Sequence, residues 1–476
     1  MMGNNSFTRL REVISAGKKY ADILFQDDIP IVCVNKNTGK SRSMSFKVLY
    51  SNNSLFWIQN NVWEYYLADE ELTALKSKVE ILDREARAWE AGMTLLSTES
   101  ENHEASEQSD TQKQTLDPGF GAEFDAIAAM TDAERIQQLQ KDKKELDNLL
   151  SKKAKEDTVT QALVDTTRDA ALVNHVTLLN AMYLADDEAK KHTQSMVDST
   201  NDLIKSSSQL ISPNIFNDEL MNILVEKSNG TIIQHMTRVF LNGMAFLTYY
   251  NDFVSTSSII NKFRATFEKK YKNFYYSLLP HLGPGAINME RAFMGGMRAI
   301  PQDVFFNWAT GFLVHDIGKA SAVEYHEGEA AYDRDIVTEH IKIGYNSIRD
   351  KTNYPREAAL ITGYHHEYYG DPTGYGCFRV YLDHCKKVNP YIRQNYCISY
   401  ELEPMIDCEA LAYFPAKVLE IVDVYDSITD PNRKYRKALT PEEALTMMQV
   451  EFTEKHHKLD VILFDIFANF VREKKR

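Results

Sequence analysis

Five separate stretches in the second half of the chain carry an imidazole or a carboxylate in largely apolar surroundings. His235 stands in Ile232-Ile233-Gln234-His235-Met236. His315 and Asp316 close the apolar run Phe312-Leu313-Val314 and lead into Gly318 and Lys319. His340 is followed four residues on by Gly344, which lets another segment approach closely. His365, His366 and Glu367 end the stretch carrying Ala358, Ala359, Leu360 and Ile361. Asp423 and Asp426, in Val422-Asp423-Val424-Tyr425-Asp426, share one helix face. Burying such groups costs several kcal/mol unless something compensates them, and a divalent metal is the obvious compensation. Taken singly, a histidine on an apolar helix is ordinarily a satisfied core residue. Five helices each turning such a group inward are hard to explain as core, and mixed His/Asp ligation suits iron, manganese or zinc. Five histidines and two aspartates (His235, His315, Asp316, His340, His365, His366, Asp423) exceed one ion's needs, so a binuclear centre bridged by one aspartate follows.

The elements that must position these groups read as helices. From Ser212-Pro213 onward the chain is aromatic-rich, with helix-length apolar segments and glycines at their ends. Thr440-Pro441-Glu442-Glu443 is a helix start: a capping threonine, a proline in the first turn and a glutamate three residues after the cap. Upstream, residues 122–210 return to helical pattern, with Ile136, Leu139, Leu146, Leu149 and Leu150 near heptad spacing. That stripe fits a coiled-coil homodimer segment and a satellite bundle within one chain equally well. His175, in the same region, has no acidic neighbour at ligand spacing and reads as structural. Ser97 to Gly119 is polar and acidic without apolar periodicity, a flexible linker, and Glu70 to about Leu96 is helical by composition. Before that, Ile29–Val34, Ser45–Tyr50 and Leu55–Ile58 read as short strands, punctuated by Asn35-Lys36-Asn37-Thr38-Gly39 and Ser51-Asn52-Asn53. The expected fold is mainly α: a small β-rich module over 1–75, a helical and linker region over 76–211, and an all-α metal-binding bundle over 212–476.

Composition narrows the function. The formal charge of −14 leaves no basic excess for a general DNA or RNA binder, though it does not bar a small anionic substrate held by metals. Five cysteines without a Cys-x-x-Cys pair argue against a disulfide framework or zinc ribbon and fit a reducing compartment. No apolar run is long enough to span a bilayer and the N-terminus lacks a signal pattern, so the expectation is a cytoplasmic protein away from the membrane.

The ordered set His…His-Asp…His…His-His…Asp resembles the HD-GYP family, bacterial phosphodiesterases of the HD superfamily that hydrolyse the second messenger cyclic di-GMP. His315-Asp316-Ile317-Gly318-Lys319 is similar to the family's His-Asp-Ile-Gly-Lys. His365-His366-Glu367 with Gly370-Asp371 and Gly374-Tyr375 resembles its His-His-Glu…Asp-Gly…Gly-Tyr-Pro signature. Val422 to Ser427, followed by Arg433-Lys434-Tyr435-Arg436-Lys437-Ala438, resembles its Asp-Val-Tyr-Asp-Ala…Arg-Pro-Tyr-Arg-Lys-Ala segment. The likeness runs over roughly residues 212–450.

The resemblance implies an HD-type helical bundle. It also implies two divalent ions, iron or manganese, on the seven ligands named above, with Asp316 bridging. Lys319 would sit at the scissile phosphate and Asp426 would orient a ligand. Gly374, Tyr375, Arg433 and Arg436 would border the nucleotide. The implied reaction is attack by a metal-activated hydroxide on the cyclic dinucleotide, giving pGpG or GMP. Thr231 stands where many members carry a glutamate that helps hold a third metal, which favours two ions. Gly376 replaces the signature proline, and the spacings from His235 to His315 and from His366 to Asp423 exceed the family pattern. These departures leave open another nucleotide substrate, or a domain that binds cyclic di-GMP without turnover. The insertions are expected to reshape the substrate mouth.

Overall fold

The computed structural model describes residues 7–15, 20, 23–24, 29–36, 38, 40–46, 63–79, 121–182, 184–211, 232–321, 334–370, 374–431 and 437–473. The chain divides into two compact units, residues 1–114 and 115–476, and the described residues are mainly helical. The expected linker, the expected strand over 55–58, Thr231, Arg433 and Arg436 lie outside the described residues.

The first unit holds a four-stranded antiparallel sheet of β1 (Phe7–Arg9), β2 (Pro30–Asn35), β3 (Ser41–Ser45) and β4 (Trp63–Ala68), in the order β1-β4-β2-β3. Strand β2 falls where its β-branched residues predict it. The turn after it closes through Asn35, whose side chain accepts from the Thr38 amide at 3.0 Å. A strand that the pattern does not announce, Ser41–Ser45, pairs with β2, Pro30 facing Ser45, while residues 47–50 of the expected strand Ser45–Tyr50 lie outside the described residues. Its Ser-Arg-Ser-Met-Ser sequence carries no apolar alternation because it is an edge strand, held by backbone bonds. Phe46, fully buried, anchors its end in a core with Ile31, Cys33 and Leu67. Residues 69–79 continue as helix.

The second unit is a helical assembly around one hydrophobic core. It comprises α1 (Gly121–Ala129), α2 (Asp132–Lys152), α3 (Glu156–Ala181), α4 (Asp186–Leu210), α5 (Ile232–Ser255), α6 (Gln302–Val314), α7 (Arg334–Lys351), α8 (Arg356–Tyr364), α9 (Phe378–Val388), α10 (Phe414–Thr429), α11 (Pro441–Met447) and α12 (Val461–Glu473), with a further helix over Ser257–Lys270 and shorter helical turns between. Helix α5 is buried on all sides from Ile232 to Leu247, and α10 from Phe414 to Asp426, so these two form the centre. Against α5 pack α3, α6 and α10, and α8 packs against α6, α7 and α10.

The stripe on α2 is partly covered within the chain, with Ile136, Leu149 and Leu150 half-buried. Leu139 and Leu146 are fully buried, and α2 packs on α3 and α4. Helices α3 and α4 in turn reach the second half: Thr193 Oγ1 donates to the Lys351 carbonyl at 2.9 Å, and Thr310 Oγ1 to Asn201 Oδ1 at 3.2 Å. The helices of the region expected as helical linker therefore share one core with those that carry the site. The capping box at Thr440 is present as expected, with the Glu443 carboxylate accepting from the Thr440 amide at 2.8 Å.

One element of the bundle is not helical. Strands β5 (Tyr396–Ser399) and β6 (Ala410–Tyr413) form a short parallel pair within the stretch between His366 and Asp423. Phe293, from the stretch between His235 and His315, bridges to Ile398, and the Met294 amide donates to the Ile398 carbonyl at 2.9 Å. The two long spacings thus meet each other at this point.

Candidate metal centre

Each ligand-type side chain is aimed by the backbone or by a neighbour. Helix α6 ends at Val314, and the His315 Nδ1 lies 2.9 Å from the Phe312 carbonyl. Helix α8 ends the same way, with His365 Nδ1 at 2.9 Å from the Thr362 carbonyl. A carbonyl only accepts, so Nδ1 carries the proton in both rings and the Nε2 lone pair is left to face inward. His235, on α5, is held differently. Its Nδ1 lies 2.8 Å from Asp426 Oδ2, one turn along α10 from Asp423. Arg238, one turn along α5, clamps that carboxylate through two bonds of 2.7 and 2.9 Å and reaches Asp430 Oδ2 at 2.6 Å. A carboxylate on the far nitrogen of a metal-facing imidazole is the usual device for fixing its tautomer and raising its basicity.

The inward atoms converge on Asp316. Its Oδ1 lies 3.1 Å from His340 Nε2 and 3.9 Å from His365 Nε2. Its Oδ2 lies 3.4 Å from His235 Nε2, 3.6 Å from His315 Nε2 and 2.5 Å from Lys319 Nζ. The two oxygens of one carboxylate therefore face two different histidine pairs. Ligand atoms of His340, His365 and His366 lie within 4.8 Å of one another, as do those of His235, His315 and Asp423, and those of His315, Asp316 and His365. Asp423 presents Oδ1 to His235 at 3.0 Å and Oδ2 to His366 at 3.6 Å. All seven are buried.

Close approach makes this convergence achievable. A Cβ at Gly318 would overlap the His340 carbonyl, so only glycine lets the turn after Asp316 lie against α7. Gly344 completes the contact from the other side, the close approach its position predicts.

Electrostatics match the geometry. Burial pushes the imidazoles of His315, His365 and His366 down, His366 to about 3, so all three are neutral. Burial works against the charged form of Asp316 too, but Lys319 and the surrounding histidines win and hold its carboxyl well below the usual range. Asp423 is depressed by His235 against the same burial, and Asp426 by Arg238 and His235. For His235, the carboxylates of Asp316, Asp423 and Asp426 outweigh burial and raise its pKa well above the usual value. His315, His365 and His366, neutral beside ionised carboxylates, are in the state that metal ligation requires, whereas His235 would release a proton on binding.

The donor set fits a metal on a further observation. The Nε2 atoms of His315 and His365 are sealed from solvent yet make no hydrogen bond among the described residues. Leaving such atoms unsatisfied costs about 1–3 kcal/mol each, a cost that coordination removes.

The remaining expected site residues are placed as follows. Tyr375 packs its ring 4.5 Å from that of His366, and its amide donates to the His366 carbonyl at 2.9 Å. Gly374 is buried against the Glu367 carbonyl and Arg379. Gly376, at the signature proline's position, lies on the Glu367 carboxylate, where a Cβ would overlap Oε1. That contact gives a physical reason for glycine there.

Two residues near the site escaped sequence reasoning, and a third, His175, reads there as structural. Arg238 and Asp430 extend the clamp on Asp426; Arg238 had a signal, a cation one turn from His235 in an apolar helix. His175 on α3 is fully buried, and burial pushes its pKa to about 4 while the nearby Asp316 charge opposes this. Nothing in its local sequence pointed there. Comparison with protein-family models, with curated proteins and with solved structures finds no match to this chain.

Proposed function

We propose that the chain is a metal-dependent phosphodiesterase that hydrolyses cyclic di-GMP, with two divalent ions, iron or manganese, shared across Asp316. The single observation that carries this reading is the two-sided environment of Asp316: His340 and His365 on Oδ1, His235 and His315 on Oδ2. One ion would take His235, His315, Asp316 and Asp423; the other would take Asp316, His340, His365 and His366. Two such ions supply Lewis acidity toward a phosphoryl oxygen and an activated water for in-line attack.

The chain's own residues do the rest. The Phe312 and Thr362 carbonyls keep the inward nitrogens of His315 and His365 unprotonated for ligation, while Asp426 orients His235, whose Nε2 would give up its proton on ligation. Lys319 donates to Asp316 and would be the cation placed to meet negative charge growing on the phosphoryl group. Tyr375, packed on His366, offers a flat face at the edge of the site on which a base could stack.

The test is turnover of cyclic di-GMP with metal content measured on the same sample, prepared without oxygen. Protein that binds two ions yet leaves cyclic di-GMP intact overturns the substrate. A second reading, hydrolysis of another nucleotide by the same centre, is favoured by Gly376 in place of proline beside Tyr375. A panel of cyclic dinucleotides and nucleoside phosphates separates the two.

A further inference from the structure

Helix α7 presents two working faces. With about 100° of rotation per residue, Lys342, Tyr345, Asn346 and Arg349 all fall on the side of α7 opposite His340. That side is the wall of a cleft of about 860 Å³, whose other walls come from α8, α9 and the segment Tyr375–Cys377.

Its lining is unusual for a chain of net charge −14: among the described residues Lys342, Arg349 and Arg356 are its charged groups, with no acid. Lys342 and Arg356 are exposed and make no hydrogen bond or ion pair with any described residue. Arg349 is paired with Asp350 and lies 5.0 Å over the Tyr345 ring. Tyr345, Tyr375 and Tyr381 add aromatic faces, and Tyr381 and Val380 are among the few large apolar residues left exposed.

Exposed cations beside tyrosine rings match one ligand chemistry, phosphate joined to a planar base. A pocket of about 300–1,000 Å³ is the size that small molecules occupy. We propose that this cleft is a nucleotide-binding site separate from the metal centre, with phosphate on Lys342 and Arg356 and the base against the tyrosines. Tyr375 is the wall the two sites share, since its ring also packs on His366. The inference does not depend on the phosphodiesterase reading. A nucleotide lodged on this face of α7 has the helix between its phosphates and the His340 imidazole, so it is bound here and not cleaved here.

The test is equilibrium dialysis of GMP, GTP and cyclic di-GMP against the full chain stripped of metal by a chelator. Saturable binding that weakens with salt is expected, weakened at least tenfold in Lys342→Glu/Arg356→Glu and retained in His315→Ala. Arg356→Gln provides a milder change, with a smaller loss in the same direction, and thermal melting checks that each variant is folded. Absence of saturable binding to the metal-free chain overturns the proposal. So does binding that survives the double charge reversal or disappears in His315→Ala, since either would put the nucleotide elsewhere.

Discussion

At the scale of single residues, the candidate centre rests on which nitrogen each imidazole turns inward. For His235 that choice is made by Asp426, and Asp426 is itself fixed by Arg238. Asp426→Asn keeps the shape but removes the charge that fixes the tautomer, so metal affinity should fall by roughly 10–100-fold. Metal titration followed by elemental analysis checks this, and unchanged affinity would mean His235 is not a ligand. His315→Ala and Asp316→Ala should each abolish stoichiometric binding, Asp316→Ala at both positions, because its two oxygens face both histidine pairs. The imidazoles and carboxylates of this cluster were legible in the sequence because burial of such groups demands a partner. The anchoring carbonyls of Phe312 and Thr362 were not, since every residue has a carbonyl and only the fold decides which one an imidazole meets.

At the scale of elements, the helices were legible from apolar periodicity and caps, and Thr440 is the clearest case. The β5–β6 pair was not, because its short strands carry no alternation distinct from a buried helix and its partner, Phe293, lies far away in sequence. Two predictions belong here. Gly318→Ala drives a methyl into the His340 carbonyl and must part the turn from α7. It should cost about 1–3 kcal/mol, read by denaturant unfolding, and lower metal occupancy through the displaced Asp316.

The second concerns the α2–α3 contact. Asp142 is buried; burial, then the Asp169 charge, push its pKa up to about 7, while Gln138 donates to both carboxylates. In the unfolded chain the same group titrates near about 4. The folded state therefore holds the proton more tightly, and this site's contribution to stability falls as pH rises from about 4 to 7. Asp142→Asn should flatten that slope and raise stability at pH 8. Unfolding curves at pH 5 and pH 8 check it, and an equal effect of the substitution at both would count against the buried charge.

At the scale of the whole molecule, the candidate metal ligands come from α5, α6, α7, α8 and α10 or their ends, but the scaffold that holds them extends beyond those helices. Helices α3 and α4 cover α5 and α6, and Lys351 at the end of α7 donates to the Leu184 carbonyl at 2.6 Å. Tyr354, between α7 and α8, donates to the buried Asn174 on α3, which also donates to Thr200 on α4 at 2.9 Å. Composition made residues 122–210 look separable, because a charged helix with a heptad stripe is compatible with either a dimer or an intrachain bundle, and periodicity cannot say what covers the stripe. With α3 and α4 removed, α5, now buried on all sides from Ile232 to Leu247, would expose the side that α3 covers, and Asn174 would no longer pair with Tyr354. Large exposed apolar patches of that kind drive aggregation. The fragment 212–476 should therefore aggregate or melt without cooperativity, whereas 115–476 should unfold in one cooperative transition and take up the same metal content as the full chain. Calorimetry and elemental analysis of the two fragments decide it: a soluble 212–476 that melts cooperatively with full metal content would show that α3 and α4 are dispensable to the centre.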